Sequence, residues 1–353
     1  MNSEEIRKKL DKIDFQILKL LDTRMELELK SKKFAKTSDE TNREKEFLKK
    51  IKSQSRGLIA PDFCEKLYTE IVYETKKLKK NNYKLVAFQG AHGAYSEVAA
   101  RVWNRELIPI PCNEFSEIFE GIQSGLYDYG VVPVENSSGG VISQVNQLII
   151  TTNLFVVGAV ELHVHHCLLT LPGTDYRELH VVYSHSQALE QCRQFIVRNK
   201  LEPIPYYDTA GSARMLAEEE PKSSAVIASK LAAEIYNLEV IKENIEDFER
   251  NITRFLIFSR KESQEDGNKC SIIFSTAHKA GTLFKVLEVF ANQNINLTRI
   301  ESIPNMQGSY AFFLDFLGSK NDENVKNALK TVKEITTNFR LLGCYKEKSN
   351  KDV

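Results

Sequence analysis

Three short polar runs carry the side chains best suited to chemistry, and each lies at one end of an apolar segment. The first run, 135–137, follows YGVVPV, the second begins after VVYS at His185, and the third places Thr253 and Arg254 before FLIF. Amides and hydroxyls donate and accept hydrogen bonds, and arginine binds a carboxylate through two parallel bonds. Because open α/β sheets bind ligands at strand ends, these runs predict a cleft for a ligand.

Other short patterns suggest chemistry that their spacing does not support. Serine precedes histidine in YSHSQ, but no G-x-S-x-G elbow surrounds Ser137 or Ser184, so a hydrolase triad is not expected. The glycines of QGAHGAYS lack the spacing of a phosphate-binding loop and indicate a tight strand-to-helix turn. ENSSGG taken alone is equally consistent with a turn that has no chemical role.

A group of histidines resembles a metal site only superficially: His163, His165 and His166. In a strand the first two share one face and the third lies on the other, and no carboxylate or cysteine stands at tetrahedral spacing. The six cysteines are scattered without C-x-x-C spacing. We therefore expect no metal site and no zinc or disulfide framework.

The composition is that of a globular protein with several domains. The chain has 353 residues, equal numbers of basic and acidic side chains (48 each) and 42% hydrophobic residues. At about 100–200 residues per domain, two or three domains are expected. The charge balance argues against nucleic-acid binding, and no apolar run reaches the roughly 18 residues of a membrane span. The start of the chain lacks the apolar core of a secretory signal, which predicts a cytoplasmic location.

Residues 1–83 differ from the rest of the chain. They hold one glycine and one proline, and 21 Lys and Arg against 15 Asp and Glu give them a net charge of +6, so the remainder carries −6. The apolar spacing from Ile6 to Leu27 predicts a first helix over 4–36, followed by helices over 42–54 and from Pro61 to Lys80. A helix of about 33 residues measures roughly 50 Å, which is too long for two short helices to cover. A second chain is expected to cover its apolar stripe.

From Lys84 onwards strands alternate with helices, which predicts parallel α/β layers over 84–261. After the polar linker KESQEDGNK, the segment 269–348 shows the order βαββαβ of a ferredoxin-like module.

These motifs now resemble a known family. The runs VVPVENSSGG, YSHSQ and NITRFLIFSR are similar, in this order, to three motifs of prephenate dehydratase, and HKAGTLFKVL with RIESIP resembles its ACT regulatory domain. The first 80 residues resemble the all-helical chorismate mutase domain. The whole chain thus resembles the bifunctional chorismate mutase–prephenate dehydratases. This implies an all-α dimer-forming domain, a two-lobed α/β domain like that of periplasmic binding proteins, and an α+β ACT domain.

The dehydratase resemblance implies that prephenate loses its ring hydroxyl as water and one carboxylate as carbon dioxide, which gives phenylpyruvate without a cofactor. Thr253 is implied as the group that polarises the leaving hydroxyl, and Arg254 as a carboxylate ligand. Neighbouring strand residues face opposite sides, so the alternative for Arg254 is a side chain that points away. The other residues implied in catalysis or substrate binding are Glu135, Asn136, Ser137, His185, Gln187, Thr209, Ser212 and Phe255.

The mutase resemblance implies a site for the chorismate dianion, in which positive charge near the breaking ether bond drives a pericyclic step. The implied ligands are Arg7, Arg24, Glu40, Arg43, Glu44 and Thr75. Arg7 and Arg24 lie roughly 25 Å apart on one helix, so one substrate touches both only if they come from different chains. The family's lysine falls on Ala35, and Lys36 or Lys79 is the candidate for the missing cation.

The ACT resemblance implies phenylalanine as an inhibitor bound between chains, with ligands at Gly281, Leu283, Asn296, Glu301 and Ser302. Ala280 and Ile303 replace the family's proline and arginine, which predicts a weaker response or a different effector. The expected partners are chorismate, prephenate, phenylalanine and further copies of this chain in a dimer or a higher even-numbered assembly.

Two other functions fit parts of the sequence. One is a monofunctional dehydratase whose helical domain only dimerises, which the departures at Ala35 and Lys79 would favour. The other is a non-catalytic, amino-acid-binding regulatory protein, because two lobes around a cleft resemble solute-binding proteins. The intact N-I-T-R-F run argues against the second alternative.

Overall fold

The computed structural model describes residues 3–33, 40–54, 56–248, 250–277, 279–304 and 310–349. The chain divides into two compact units, Met1–Tyr83 and Lys84–Val353. Within the described ranges, no helix is both long enough and apolar enough to cross a membrane.

The first unit is helical, as predicted. Its helices are α1 (Ser3–Lys32), α2 (Glu40–Gln54) and α3 (Pro61–Lys80), and Pro61 opens α3 because its missing N–H costs nothing at a helix start. The 30 residues of α1 span roughly 45 Å. Its apolar stripe is largely exposed in a single chain, at Ile6, Leu10, Ile13, Ile17, Leu20 and Leu27. The predictions for Ala35, Lys36 and the side chain of Glu40 lie outside the described residues.

The second unit alternates strands and helices before a final α+β segment. Its strands are β1 (Leu85–Gln89), β2 (Ile108–Cys112), β3 (Tyr129–Asn136), β4 (Gly140–Val141), β5 (Phe155–His163), β6 (Cys167–Thr170), β7 (Val181–His185), β8 (Glu202–Tyr206), β9 (Ser224–Ala228), β10 (Glu239–Lys242), β11 (Ile252–Ser259), β12 (Lys269–Ser275), β13 (Leu297–Pro304), β14 (Tyr310–Leu317), β15 (Thr337–Tyr345) and β16 (Glu347–Ser349). Its helices are α4 (Tyr95–Trp103), α5 (Phe115–Ser124), α6 (Ser143–Thr151), α7 (Ser186–Gln191), α8 (Arg193–Arg198), α9 (Thr209–Glu219), α10 (Lys230–Tyr236), α11 (Thr282–Asn292) and α12 (Glu323–Ile335), with a 3-10 turn at Tyr176–Glu178.

Two sheets form the two predicted lobes. The first lobe is built on the order β16-β5-β11-β3-β1-β2, with β4 beside β3, and the second on β10-β6-β9-β7-β8. Continuous apolar runs such as LVAF of β1 become fully buried strands, as expected where both faces of a sheet are covered. Gly93, in the turn after β1, lies so close to the second lobe that a Cβ atom there would sit 2.7 Å from the Cα of Ala232. The predicted tight turn therefore also brings the lobes together.

The expectation of parallel layers is only partly correct. Strand β11 runs antiparallel to both β3 and β5, and β6 runs antiparallel to β9 and β10. The chain crosses between lobes after β5 and before β11, and the described residues of the two crossings form no helix. The strand that returns from the second lobe, β11, therefore enters the first sheet antiparallel to its neighbours β3 and β5.

The C-terminal module, β12 to β15, has the predicted ferredoxin-like order. Its sheet is β13-β14-β12-β15, and α11 and α12 pack on one face around Phe274, Phe290 and Phe316. After β15 the chain adds β16 to the first lobe, parallel to β5. The module is thus joined to the first lobe by a shared sheet as well as by the linker.

One expectation about cysteines is wrong. Cys270 and Cys344 form a disulfide between the adjacent strands β12 and β15. The two residues are directly opposite in the strand register, which their separation in sequence conceals. Cys64, Cys112, Cys167 and Cys192 take no part in a disulfide.

Candidate active site

The paired strands β3 and β11 place two residues of the polar runs side by side. Asn136 pairs with Thr253, and Glu135 pairs with Arg254. The register then shifts, so that Phe255 pairs with Pro133, and this bulge lies immediately beside the site. Bulges commonly re-aim side chains next to functional sites.

Asn136 and Thr253 are buried and hydrogen-bonded to each other. Asn136 Nδ2 donates to Thr253 Oγ1 at 2.8 Å and to Asn251 Oδ1 at 2.9 Å. A hydroxyl oxygen that accepts a bond becomes a stronger donor through its own hydrogen. Within the described part of the chain, no group accepts the Thr253 O–H, so this hydrogen can be directed at a bound substrate. Thr253 is therefore placed to donate a hydrogen bond to a bound ligand.

The Asn136 carbonyl fixes the loop that follows β3. Its Oδ1 accepts from the backbone N–H of Ser138 at 3.0 Å and of Gly139 at 2.7 Å. From the second lobe, Gln187 Nε2 donates to the same oxygen at 3.3 Å. Asn136 thus connects the ENSSGG loop, the Thr253 hydroxyl and the second lobe.

Gln191 and Asn251 complete this network, and neither is among the residues expected at the site from the sequence. Gln191 Nε2 donates to Ser138 Oγ at 2.6 Å, and Asn251 Nδ2 donates to Gln191 Oε1 at 3.0 Å. Their positions carried a signal, because Gln191 lies one helical turn after Gln187 and Asn251 lies two residues before Thr253 on the same face.

His166 extends the network into the hinge between the lobes. Its Nε2 lies 2.8 Å from Gln191 Oε1 and its Nδ1 lies 2.8 Å from the Tyr95 hydroxyl. Burial lowers the pKa of His166, which favours the neutral ring. In the described ranges no cluster of metal-ligating side chains occurs, and His163 and His165 stack on each other with centroids 6.5 Å apart.

A cavity of about 710 Å³ adjoins the network. Ser138, Gln187 and Gln191 line it, together with Arg193 and Arg198. Thr253 is not part of this lining and is only 8% exposed. We therefore expect the second lobe to move when substrate reaches Thr253.

The structure corrects the role expected of Arg254 as a carboxylate ligand in the cleft. Its guanidinium lies on the opposite face of β11, where Nε contacts Glu347 Oε1 at 2.7 Å and Nη1 contacts Asp315. Glu135 faces the same way and lies 3.3 Å from Arg299 Nε. Successive side chains of a strand point to opposite faces. Arg254 adjoins Thr253 and Glu135 adjoins Asn136, so both point away from the cleft.

Ser137 is also occupied by structural bonds. Its hydroxyl donates to Arg250 O at 2.8 Å and accepts from the Ile252 N–H at 2.9 Å. It therefore holds the loop against β11 and has no hydrogen left for a substrate carboxylate. The rejected nucleophile Ser184 is fully buried and donates to Ile227 O.

Three further residues expected at the cleft have other surroundings in the structure. His185 is exposed and accepts from the Gln187 N–H as the cap of α7. Ser212 is fully buried and donates to Thr209 O, so it offers no hydroxyl to a ligand. Phe255 belongs to the apolar core of the first lobe, where a substrate cannot reach it.

The start of α9, which carries the implied ligands Thr209 and Ser212, is already capped by a carboxylate. Asp208 caps α9 and accepts from the Gly211 N–H. A carboxylate at this position satisfies the helix dipole and repels a second anion. Thr209 is partly exposed beside it, but the cap argues against an anion site there.

In the first unit, several of the implied mutase residues lie together between α1 and α3. Arg24 Nη1 donates to the buried Thr75 Oγ1 at 2.8 Å. Lys79 Nζ lies 2.6 Å from Glu28 Oε2, and the same glutamate lies 3.6 Å from Arg24 Nη2. Sequence reasoning missed Glu28, although it stands one helical turn after Arg24.

The remaining mutase residues are more dispersed. Glu44 forms an ion pair with Lys76 between α2 and α3. Arg43 is exposed on α2, and Arg7 is exposed near the other end of α1 from Arg24.

The C-terminal module contains a second cavity, of about 410 Å³. It is lined by the start of α11, including Gly281 and Leu283, and by Tyr310 and Phe312 of β14. Gly281 has φ +82°, a left-handed conformation that favours glycine. The other expected effector ligands, Asn296, Glu301 and Ser302, do not line this cavity within one chain.

Comparison with known proteins divides the chain into three regions. The prephenate dehydratase family matches residues 86–263, chorismate mutase type II matches residues 6–80, and the ACT domain matches residues 271–334. A bifunctional chorismate mutase/prephenate dehydratase of Aquifex aeolicus is 32% identical over 359 residues, covering 97% of each chain.

Two further relatives match about three quarters of the chain. Arogenate dehydratase/prephenate dehydratase 2, chloroplastic, of Arabidopsis thaliana is 39% identical over 285 residues, covering 77% of this chain and 75% of its own length. The crystal structure of prephenate dehydratase from Arthrobacter aurescens in complex with L-Phe has a TM-score of 0.69 and 28% identity. That match covers 74% of this chain and 89% of the Arthrobacter chain.

Proposed function

This chain belongs to the prephenate dehydratase family, and we propose that it is a bifunctional enzyme that rearranges chorismate to prephenate and converts prephenate to phenylpyruvate. The proposed domains are a mutase domain over 1–83, a dehydratase domain over 84–261 and an ACT regulatory domain over 269–348. The match to the Aquifex enzyme over nearly the whole of both chains supports this organisation.

The observation that carries the dehydratase proposal is the buried pair Asn136–Thr253. In the reaction, the bond between the ring and its carboxylate breaks to release carbon dioxide, and the freed electron pair enters the ring as the hydroxyl leaves. The leaving oxygen takes up a proton and departs as water. Thr253, activated by Asn136 Nδ2 at 2.8 Å, passes its hydroxyl proton to that oxygen at the cleft between the lobes and then recovers a proton from solvent water.

The mutase proposal is supported by the cluster around Arg24. Arg24, Thr75 and Lys79 place two cations and a hydroxyl between α1 and α3, which suits a dianionic substrate. Arg7 is too far along α1 to reach the same substrate within one chain. We therefore propose a dimer in which the exposed stripe of α1 packs against a second copy and Arg7 completes the partner's site.

The proposed effector is phenylalanine, bound at the cavity that Gly281 and Leu283 line. The Arthrobacter relative, whose structure contains L-Phe, supports this choice. Asn296, Glu301 and Ser302 lie on or next to the edge strand β13, and we propose that a second chain brings its copies of these residues to the cavity.

The name of the Arabidopsis relative suggests arogenate as a second substrate. The decisive experiment supplies chorismate, prephenate and arogenate in separate reactions with the purified full chain. The aromatic products and residual substrates are followed by chromatography. The proposal predicts phenylpyruvate from both chorismate and prephenate, whereas phenylalanine from arogenate alone would reassign the dehydratase substrate.

The other outcomes separate the alternatives. Conversion of prephenate without conversion of chorismate would show that the helical unit only dimerises. No conversion of any substrate would favour a non-catalytic binding protein. A cytoplasmic location stays a prediction, and the Cys270–Cys344 bond is a pairing that a reducing cytoplasm does not favour.

A further inference from the structure

The strand pair that carries the candidate active site has a second face, which contacts the ACT sheet. Thr253 and Asn136 face the cleft, while their neighbours Arg254 and Glu135 face the ACT domain. Consecutive Cα atoms are about 3.8 Å apart. A displacement of Arg254 or Glu135 therefore also moves the backbone of Thr253 or Asn136.

Arg254 lies at the centre of a buried group that we call the interface ion cluster, formed by Arg254, Lys269, Ser271, Asp315, Tyr345 and Glu347. Besides its contacts with Asp315 and Glu347, Arg254 donates from Nη2 to the Tyr345 hydroxyl at 3.1 Å. Lys269 Nζ lies 2.7 Å from Glu347 Oε2. Two cations therefore meet two carboxylates, and the formal charges of the cluster cancel.

Asp315 ties this cluster to the interior of the ACT sheet. It is fully buried on β14 and accepts from the Ser271 hydroxyl on β12 as well as from Arg254. The Ser271 hydroxyl in turn lies 2.6 Å from the Tyr345 hydroxyl on β15. Three strands of the ACT sheet thus converge on one guanidinium of the catalytic strand.

Electrostatics keep the cluster charged. Burial alone would lower the pKa of Arg254, but the adjacent Asp315 and Glu347 raise it overall. Burial raises the pKa of Glu347, and Arg254 and Lys269 more than reverse that effect. Ion pairs in such a poorly solvated site are sensitive to small displacements of either partner.

The cluster is also continuous with the effector cavity. Tyr310 and Phe312 line that cavity, and Asp315 follows them on the same strand, β14. A ligand that shifts β14 therefore acts on Arg254 without any intervening loop.

We propose that Arg254 is a positioning residue for the dehydratase reaction, through which the interface ion cluster holds Thr253 against Asn136 and transmits the state of the ACT domain to the active site. This inference rests on the proposed dehydratase function.

The test replaces Asp315 by Asn, which preserves shape and removes one charge. Values of kcat and KM for prephenate, inhibition by phenylalanine and Tm are measured on the full chain. Because the substrate ligands stay in place, we expect kcat to fall about 10-fold or more while KM changes less than about 3-fold. Maximal inhibition by phenylalanine should fall to less than about half of its wild-type extent, since the coupling is weakened.

Arg340→Met is the matched control. Arg340, on β15 of the ACT sheet, donates to Thr152 O and to Ile149 O at the end of α6, and so joins the same two domains away from β11. This variant should lower Tm while leaving kcat and inhibition close to wild type.

The inference is overturned if Asp315→Asn lowers Tm but leaves kcat and the phenylalanine response unchanged, because the cluster would then only support the fold. If Asp315→Asn does not fold, Ser271→Ala removes one hydrogen bond to Asp315 and leaves every charge of the cluster paired. A fall in kcat and in phenylalanine inhibition then supports the inference, and a fall in Tm alone overturns it. A wild-type chain inactive on prephenate and arogenate would refute the proposed function instead, so the two failures are distinguishable.

Discussion

Replacing Asn136 by Asp is the most informative change at the candidate active site, because it alters one atom of the side chain and almost none of its shape. One carboxylate oxygen can keep the bonds from the Ser138 and Gly139 N–H groups, at 3.0 and 2.7 Å. The other would replace Nδ2, which now donates to Thr253 Oγ1 and Asn251 Oδ1. The variant should therefore fold and lose these two donated bonds, together with the longer bond from Nδ2 to Ile252 O at 3.4 Å.

The expected loss follows from this geometry. The Thr253 hydroxyl would turn to donate to the new carboxylate, which withdraws its hydrogen from the substrate. Removing one preorganised donor from a site of developing charge typically costs about 100- to 1,000-fold in kcat, or about 3–4 kcal/mol. Asn251 Oδ1 would keep only its longer bond from Gln191 Nε2, at 3.4 Å, and the lost bond should cost about 0.5–1.5 kcal/mol of stability, which Tm should register.

The assay measures kcat and KM for prephenate at several pH values, with Ser137→Ala as the control. Ser137 bonds only to backbone atoms, so its loss should lower Tm and leave kcat within about 3-fold of wild type. If Asn136→Asp retains kcat within a few-fold, Asn136 does not activate Thr253 and the reasoning is refuted.

Three further predictions concern other parts of the molecule. Gly139→Ala would place a Cβ atom on the Gln187 amide and break its bond to Asn136, so prephenate turnover should fall several-fold with little change in Tm. The pKa of Glu347 is lowered in the folded protein. Its contribution to stability is therefore fully present above the unfolded pKa of about 4.3 and is lost as pH falls through the lower folded pKa. Glu347→Gln should flatten this dependence of Tm on acid pH. Lys79→Ala should lower chorismate turnover by about 10-fold or more and leave prephenate turnover unchanged. A variant that converts chorismate at the wild-type rate would exclude Lys79 as the mutase cation.

Much of the fold could be predicted from the sequence because apolar periodicity and glycine content are local signals. The helices of the first unit, the strand order of the ACT domain and the turn at Gly93 follow from such signals. The antiparallel entry of β11 and the Cys270–Cys344 bond depend on how distant segments pair, which no local pattern encodes.

At the active site, residue types were easier to predict than the faces on which their side chains lie. Asn136 and Thr253 were identified from their motifs, and strand pairing places them in contact. Arg254 and Glu135 stand in the same motifs, but strand alternation turns them towards the ACT sheet. Their partners Asp315 and Glu347 lie far along the chain, so the sequence alone could not show the interface ion cluster.

The central claim is that the Thr253 hydroxyl performs the dehydration, and Thr253→Val tests it most directly. Valine has nearly the same shape and carries a methyl group in place of the hydroxyl, and Asn136 Nδ2 keeps its bond to Asn251, so only a small fall in Tm is expected. We predict that kcat for prephenate falls by about 100-fold or more while chorismate turnover stays at the wild-type rate. A Thr253→Val enzyme that converts prephenate at the wild-type rate would contradict this account.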